Sequence, residues 1–103
     1  TLIKGSLSET VGPSGSGKEH VIKRCPNCGD QIYSHFMGLN NLLVLKTTTL
    51  TNANEVPPQA HVFLDSKLEW LKLNDDIPKF DKFYRREEIY SDESLERMKI
   101  ALQ

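Results

Sequence analysis

The chain has 103 residues, 38% of them hydrophobic, and a formal net charge of -1. That is room for one domain with a modest core, and so even a charge balance offers no electrostatic footprint to nucleic acid or to a membrane surface. No window approaches the roughly 20 apolar residues of a transmembrane helix, no basic start leads into an apolar run as in a secretory leader, and a first residue of threonine is what a chain with a missing N-terminal part would show.

Short runs rich in β-branched, aromatic and aliphatic residues alternate with turn signals, the pattern of a mainly β domain. In chain order the expected strands are Leu2 to Leu7, His20 to Arg24, Gln31 to Phe36, Leu42 to Thr48, Ala60 to Leu64 and Leu68 to Leu73. Turns are expected at Gly12 to Gly17, Cys25 to Asp30, Gly38 to Asn41, Asn52 to Pro58, Asp65-Ser66 and Asn74 to Pro78. From Lys79 charges and aromatics mix, and Ser91 is then an N-cap with Asp92 and Glu93 in the first turn and Leu95, Met98 and Leu102 on one face, which predicts a short C-terminal helix. The division expected is a β domain over 1–78 and an aromatic-basic tail with the helix over 79–103. Trp70, with Leu68, Leu71, Leu73, Val62 and Leu64, reads as core.

The chemistry concentrates at Cys25-Pro26-Asn27-Cys28-Gly29, which holds both cysteines of the chain. Structural zinc takes four ligands, usually thiolates or imidazoles, and a C-x-x-C turn supplies two of them from one knuckle that Gly29 helps to close. Two cysteines this close make a poor structural disulfide, so a reducing, cytoplasmic setting is expected. A thioredoxin-like role would put the pair at the start of a helix. Here a β-type run follows it.

Gly12-Pro13-Ser14-Gly15-Ser16-Gly17-Lys18 imitates a phosphate-binding loop, but Glu19 stands where a magnesium-holding hydroxyl is required, and a β-type run follows in place of a helix. The segment reads as a hairpin loop. His20, His35 and His61 are each candidates to complete a metal site. The reading favoured for all three is a surface or hydrogen-bonded histidine. Asp75-Asp76 and Glu87-Glu88 are adjacent carboxylates that read as solvated or capping groups rather than a convergent acid and base.

Taken together, Lys23 to Ile32 around the C-x-x-C-G knuckle, Pro57-Pro58-Gln59-Ala60-His61-Val62-Phe63 and Ser66-Lys67-Leu68-Glu69-Trp70 resemble the glutathione-dependent formaldehyde-activating family, whose domain the centromere protein V-like proteins share. The resemblance implies an Mss4-like β fold containing zinc. In some members it also implies carbon-sulfur lyase chemistry that forms S-hydroxymethylglutathione from formaldehyde and glutathione. Cys25 and Cys28 match the C-terminal pair of the family's structural-zinc ligands. The other pair, and the C-x-C-x-x-C cluster that holds the family's catalytic zinc, have no counterpart in this sequence, so the chain resembles the C-terminal part of the domain and no catalytic residue carries over. His61 and Trp70 match family segments without an assigned role. The expected partners are a glutathione adduct and either a second copy, as a homodimer, or a complementing chain that supplies the missing ligands. The alternative is a non-enzymatic zinc-ribbon-like interaction module or a truncated family member.

Overall fold

The computed structural model describes residues 2–14 and 17–103. Gly15 and Ser16, in the middle of the expected Gly/Ser hairpin loop, lie outside the described residues, as does Thr1. The chain divides into two compact units, Thr1–Ala53 with Ala101–Gln103, and Asn54–Ile100.

The first unit is a four-stranded antiparallel sheet in chain order, β1 (Ser8–Pro13), β2 (Glu19–Arg24), β3 (Gln31–Phe36) and β4 (Val44–Leu45). Strands β2 and β3 form where alternation predicts them, because Val21, Ile22, Ile32 and Tyr33 suit a pleated, half-buried surface. The register sets Glu9 opposite Lys23 and Lys23 opposite Tyr33 on one face, and Thr10, Ile22, Ser34 and Val44 in line on the other. The Lys23 ammonium reaches the Glu9 carboxylate at 2.6 Å, an opposite-charge cross-strand pair that fixes the β1 register. The β1–β2 connection is closed by the Ser14 N–H on the Lys18 carbonyl (2.8 Å). Beyond β3, Met37 (φ 57°) and Gly38 (φ 68°) take the left-handed backbone of the tight turn expected there.

Four of the expected strands differ in the structure, two of them in this unit. Leu2 to Leu7 is not a strand; the strand is Ser8–Pro13, and Leu2 and Ile3 stand 55% and 98% exposed. Hairpin pairing with β2 selects the more polar stretch, so pairing overrides local apolarity. Leu42 to Thr48 contracts to the two residues of β4 and then turns into a short 3₁₀ segment, Thr47–Thr49.

In the second unit, Ala60 to Leu64 and Leu68 to Leu73 are not strands. Phe63 is left-handed (φ 57°) and starts the 3₁₀ turn Leu64–Ser66. The segment is nonetheless tied to 78–82: His61 N–H donates to the Pro78 carbonyl, Phe80 N–H to that of His61, and Phe63 N–H to that of Lys82, each at 2.9 Å. The Lys67 ammonium donates to the carbonyls of Leu68 (3.3 Å) and Leu71 (2.8 Å), which curls 67–71 into a turn. Trp70 is 74% exposed, so the expectation that it supplies core is overturned: in a turn, the alternation that would have pointed it inward does not apply. Phe80, Phe83, Tyr84 and Tyr90 pack on one another, with Phe83 stacked on Tyr84 at 4.2 Å. Burial, with the Tyr90 hydroxyl alongside, pushes the Tyr84 phenol up to about 12.

A short helix α1 (Arg86–Ile89) precedes α2 (Asp92–Ala101). The Ser91 hydroxyl accepts the Ser94 N–H at 3.2 Å, the cap expected from the sequence. Leu95 and Met98 are half-buried on α2, as their spacing predicts, and Leu102, one residue past the end of the helix, is half-buried as well.

Among the described residues no apolar side chain is fully buried, and Ser34, 1% exposed, is the one residue that is. Its hydroxyl has no protein partner. A buried hydroxyl left unsatisfied costs ~1–3 kcal/mol, so Ser34→Ala is expected to stabilise the protein by about 1 kcal/mol in urea unfolding. Net destabilisation would show that the hydroxyl has a partner.

Candidate functional site: a dithiol turn and a histidine cleft

The connection between β2 and β3 is the cysteine turn itself. Cys25 N–H donates to the Asp30 carbonyl and Gly29 N–H to the Cys25 carbonyl, both at 2.8 Å, so the loop closes on itself and needs the left-handed backbone of Gly29 (φ 81°) to do so. The Arg24 guanidinium braces the turn from β2, donating to the Gly29 carbonyl at 3.2 Å and to the Thr10 hydroxyl at 3.3 Å. The two thiols are free of any disulfide, Cys25 half-buried and Cys28 exposed. Cys25 is held below the ordinary thiol range first by the Cys28 backbone N–H, then by that of Asn27, then by the Cys28 thiol, against an opposing penalty from burial. Backbone donors that favour a thiolate also favour a soft metal ion bound to it.

These donors fit two positions of a tetrahedral thiolate site. Among the described residues no group of three or more His, Cys, Asp or Glu side chains gathers to hold a metal, so nothing described completes the four. Nor do the histidines join the cysteines. The His20 ring stacks on Phe36 at 4.2 Å with its Nε2 buried and without a protein partner. His35 packs edge-on to Tyr33, and its Nδ1–H is shared between the carbonyls of Leu42 (2.8 Å) and Leu39 (3.1 Å), inside the β3–β4 connection.

His61 is different. Its Nε2–H donates to Asp75 Oδ2 at 3.0 Å, while Asp75 Oδ1 accepts from the Lys79 ammonium (2.9 Å) and from the Ile77 N–H (3.0 Å). Asp75 therefore does cap a turn, as its setting predicts, and orients an imidazole as well. The missed signal is the five-residue run Asp75 to Lys79, in which one carboxylate serves the Ile77 amide and the Lys79 ammonium together. His61 lines a cleft of about 330 Å³ with Lys67, Phe63, Leu64, Leu71 and Leu73.

Lys79, and then His61, hold Asp75 at about 2, against an ordinary 3.8. Its folded value is depressed, so its contribution is present above the unfolded value and disappears as pH falls from 3.8 through 2. The stability gap between the native chain and Asp75→Asn is expected to be widest above pH 4 and to close toward pH 2 in pH-dependent urea unfolding. A gap that stays constant over that range would refute the ion pairs.

Neither curated proteins nor solved structures contain a match to this chain. Among the described residues no helix is long and apolar enough to cross a membrane. The family model described as glutathione-dependent formaldehyde-activating enzyme matches residues 1–66, a span that contains the whole sheet, the dithiol turn and His61. On that match, the chain belongs to the glutathione-dependent formaldehyde-activating enzyme family.

Proposed function

We propose that the protein binds zinc through Cys25 and Cys28 within an Mss4-like fold and serves as a carbon-sulfur lyase acting on S-hydroxymethylglutathione. The observation that carries this reading is the dithiol turn inside the family segment, a knuckle whose backbone N–H groups already favour the thiolate that zinc requires. A second copy or a complementing chain provides the other two thiolates, and a homodimer with one shared four-thiolate ion is the simplest arrangement. Bound zinc at such a site cross-links the ends of the turn and stabilises the fold. Two unbridged thiols suit a reducing compartment, the cytoplasm.

A second reading, a non-enzymatic interaction module, is favoured by one observation: Phe63, Leu68, Trp70 and Phe83 are each more than half exposed. Elemental analysis with native mass on one sample, followed by a glutathione–formaldehyde assay, separates the two. One zinc per two chains in a dimer and a condensation rate above the spontaneous one are expected. A folded monomer without zinc overturns the metal site, and a zinc dimer with only the spontaneous rate leaves the interaction module.

A further inference from the structure

The dithiol turn leaves the cleft at His61 without a role. Its walls are largely aliphatic, and two side chains there carry reactive chemistry, His61 and Lys67. His61 is fixed on three sides, by its N–H on the Pro78 carbonyl, by its own carbonyl under the Phe80 N–H, and by its ring on Asp75. Because Asp75 also holds Lys79 and the Ile77 amide, the carboxylate cannot turn away from the ring. A carboxylate accepts only, so Nε2 carries the hydrogen, and it is Nδ1 whose lone pair the ring in its neutral form presents. The Lys67 ammonium spends two hydrogen bonds on the Leu68 and Leu71 carbonyls, which leaves its third N–H for a ligand. The charged groups around the ring are Asp75 on the 74–78 turn, Lys79 paired with that carboxylate, and Lys67 across the cleft.

A base of fixed orientation and an ammonium on one apolar cleft suit a ligand that starts neutral and becomes an anion by losing a proton. We infer that the cleft is a thiol-activating site that seats the cysteinyl thiol of glutathione, with His61 as the catalytic base and Asp75 as its positioning residue. The S–H bond breaks with its proton passing to Nδ1, and the electron pair remains on sulfur beside Lys67. The thiolate adds to the formaldehyde carbon, the carbon–oxygen π pair moves to oxygen, and Nδ1 returns the proton there to give the hydroxymethyl thioether. The choice of thiol and aldehyde rests on the reading proposed above; the proton-transfer site stands on the cleft.

The test is ¹⁵N NMR of the full chain with labelled histidine, titrated with glutathione and separately with S-methylglutathione, which has no thiol proton to give. Glutathione is expected to carry the His61 Nδ1 resonance toward its protonated position, S-methylglutathione to leave it in place, and His61→Asn to weaken glutathione binding about tenfold, the worth of one charge-assisted hydrogen bond. In Asp75→Asn the shift is expected to shrink while glutathione still binds, a separation that a purely structural role for the carboxylate would not produce. Both ligands moving His61 equally, or neither moving it, overturns the site. A protein that gives the thiol-dependent shift and yet shows no condensation above background refutes the lyase and leaves the site standing. Condensation with an unmoved His61 does the reverse.

Discussion

On the proposed zinc site, serine in place of Cys25 is expected to abolish zinc retention, and Cys28→Ser to do the same. Structural zinc binding is worth ~10–16 kcal/mol in apparent free energy, and that energy is also folding energy. Losing a partner of a ligand costs roughly 10–100-fold in affinity, so losing a thiolate itself should exceed about 100-fold. Competition against a chromophoric chelator measures it. Thermal melts add a second readout: a chelator should lower the melting temperature of the native chain and leave that of the variants unchanged. A Cys25→Ser protein that keeps its zinc would show that the ion sits elsewhere. Cys25 is the more informative position, since the backbone donors of Asn27 and Cys28 are directed at it.

The second large effect belongs to His35. Its Nδ1–H holds the carbonyls of Leu39 and Leu42, so one ring spans the connection that delivers β4 to the edge of β3. His35→Ala removes both hydrogen bonds and leaves half-buried acceptors to find water, at a cost of about 2 kcal/mol. Urea unfolding reads this directly. Amide exchange should also locate it, with protection lost first at the Lys46 N–H, which donates to the Ile32 carbonyl at 2.9 Å just beyond β4. A change below about 0.5 kcal/mol would mean that the β3–β4 connection holds without the ring.

What could be read from the sequence follows from where local and nonlocal preferences agree. Strands β2 and β3 and the turn between them were readable because alternation, the C-x-x-C turn and Gly29 all specify one hairpin. The C-terminal helix was readable from its Ser91 cap and the Leu95, Met98, Leu102 spacing. The first strand was not, because Ser8 to Pro13 has little apolar signal and becomes a strand through pairing with β2, including the Glu9–Lys23 contact. Ala60 to Leu64 and Leu68 to Leu73 misled for the opposite reason. Both are apolar enough for strands, yet the left-handed Phe63 and the Lys67 ammonium on two carbonyls turn the chain instead. Of the candidate sites, Cys25 and Cys28 were visible from spacing alone. The His61–Asp75 pair was not, since its members lie 14 residues apart and meet through the ties between 61–65 and 78–82.

The sheet runs in simple chain order, every strand hydrogen-bonded to the one before it. Contacts this local make for fast folding, and a single hairpin closes in ~1–10 μs. The hairpin of β2 and β3 carries the dithiol turn at its tip, so both thiols meet as soon as residues 19–36 are free to pair. At roughly 5–20 residues per second of synthesis, the chain beyond β3 needs seconds more to emerge. The order of assembly is therefore sulfur pair first and His61 cleft later, with the dithiol turn already closed while the rest of the protein is still being made.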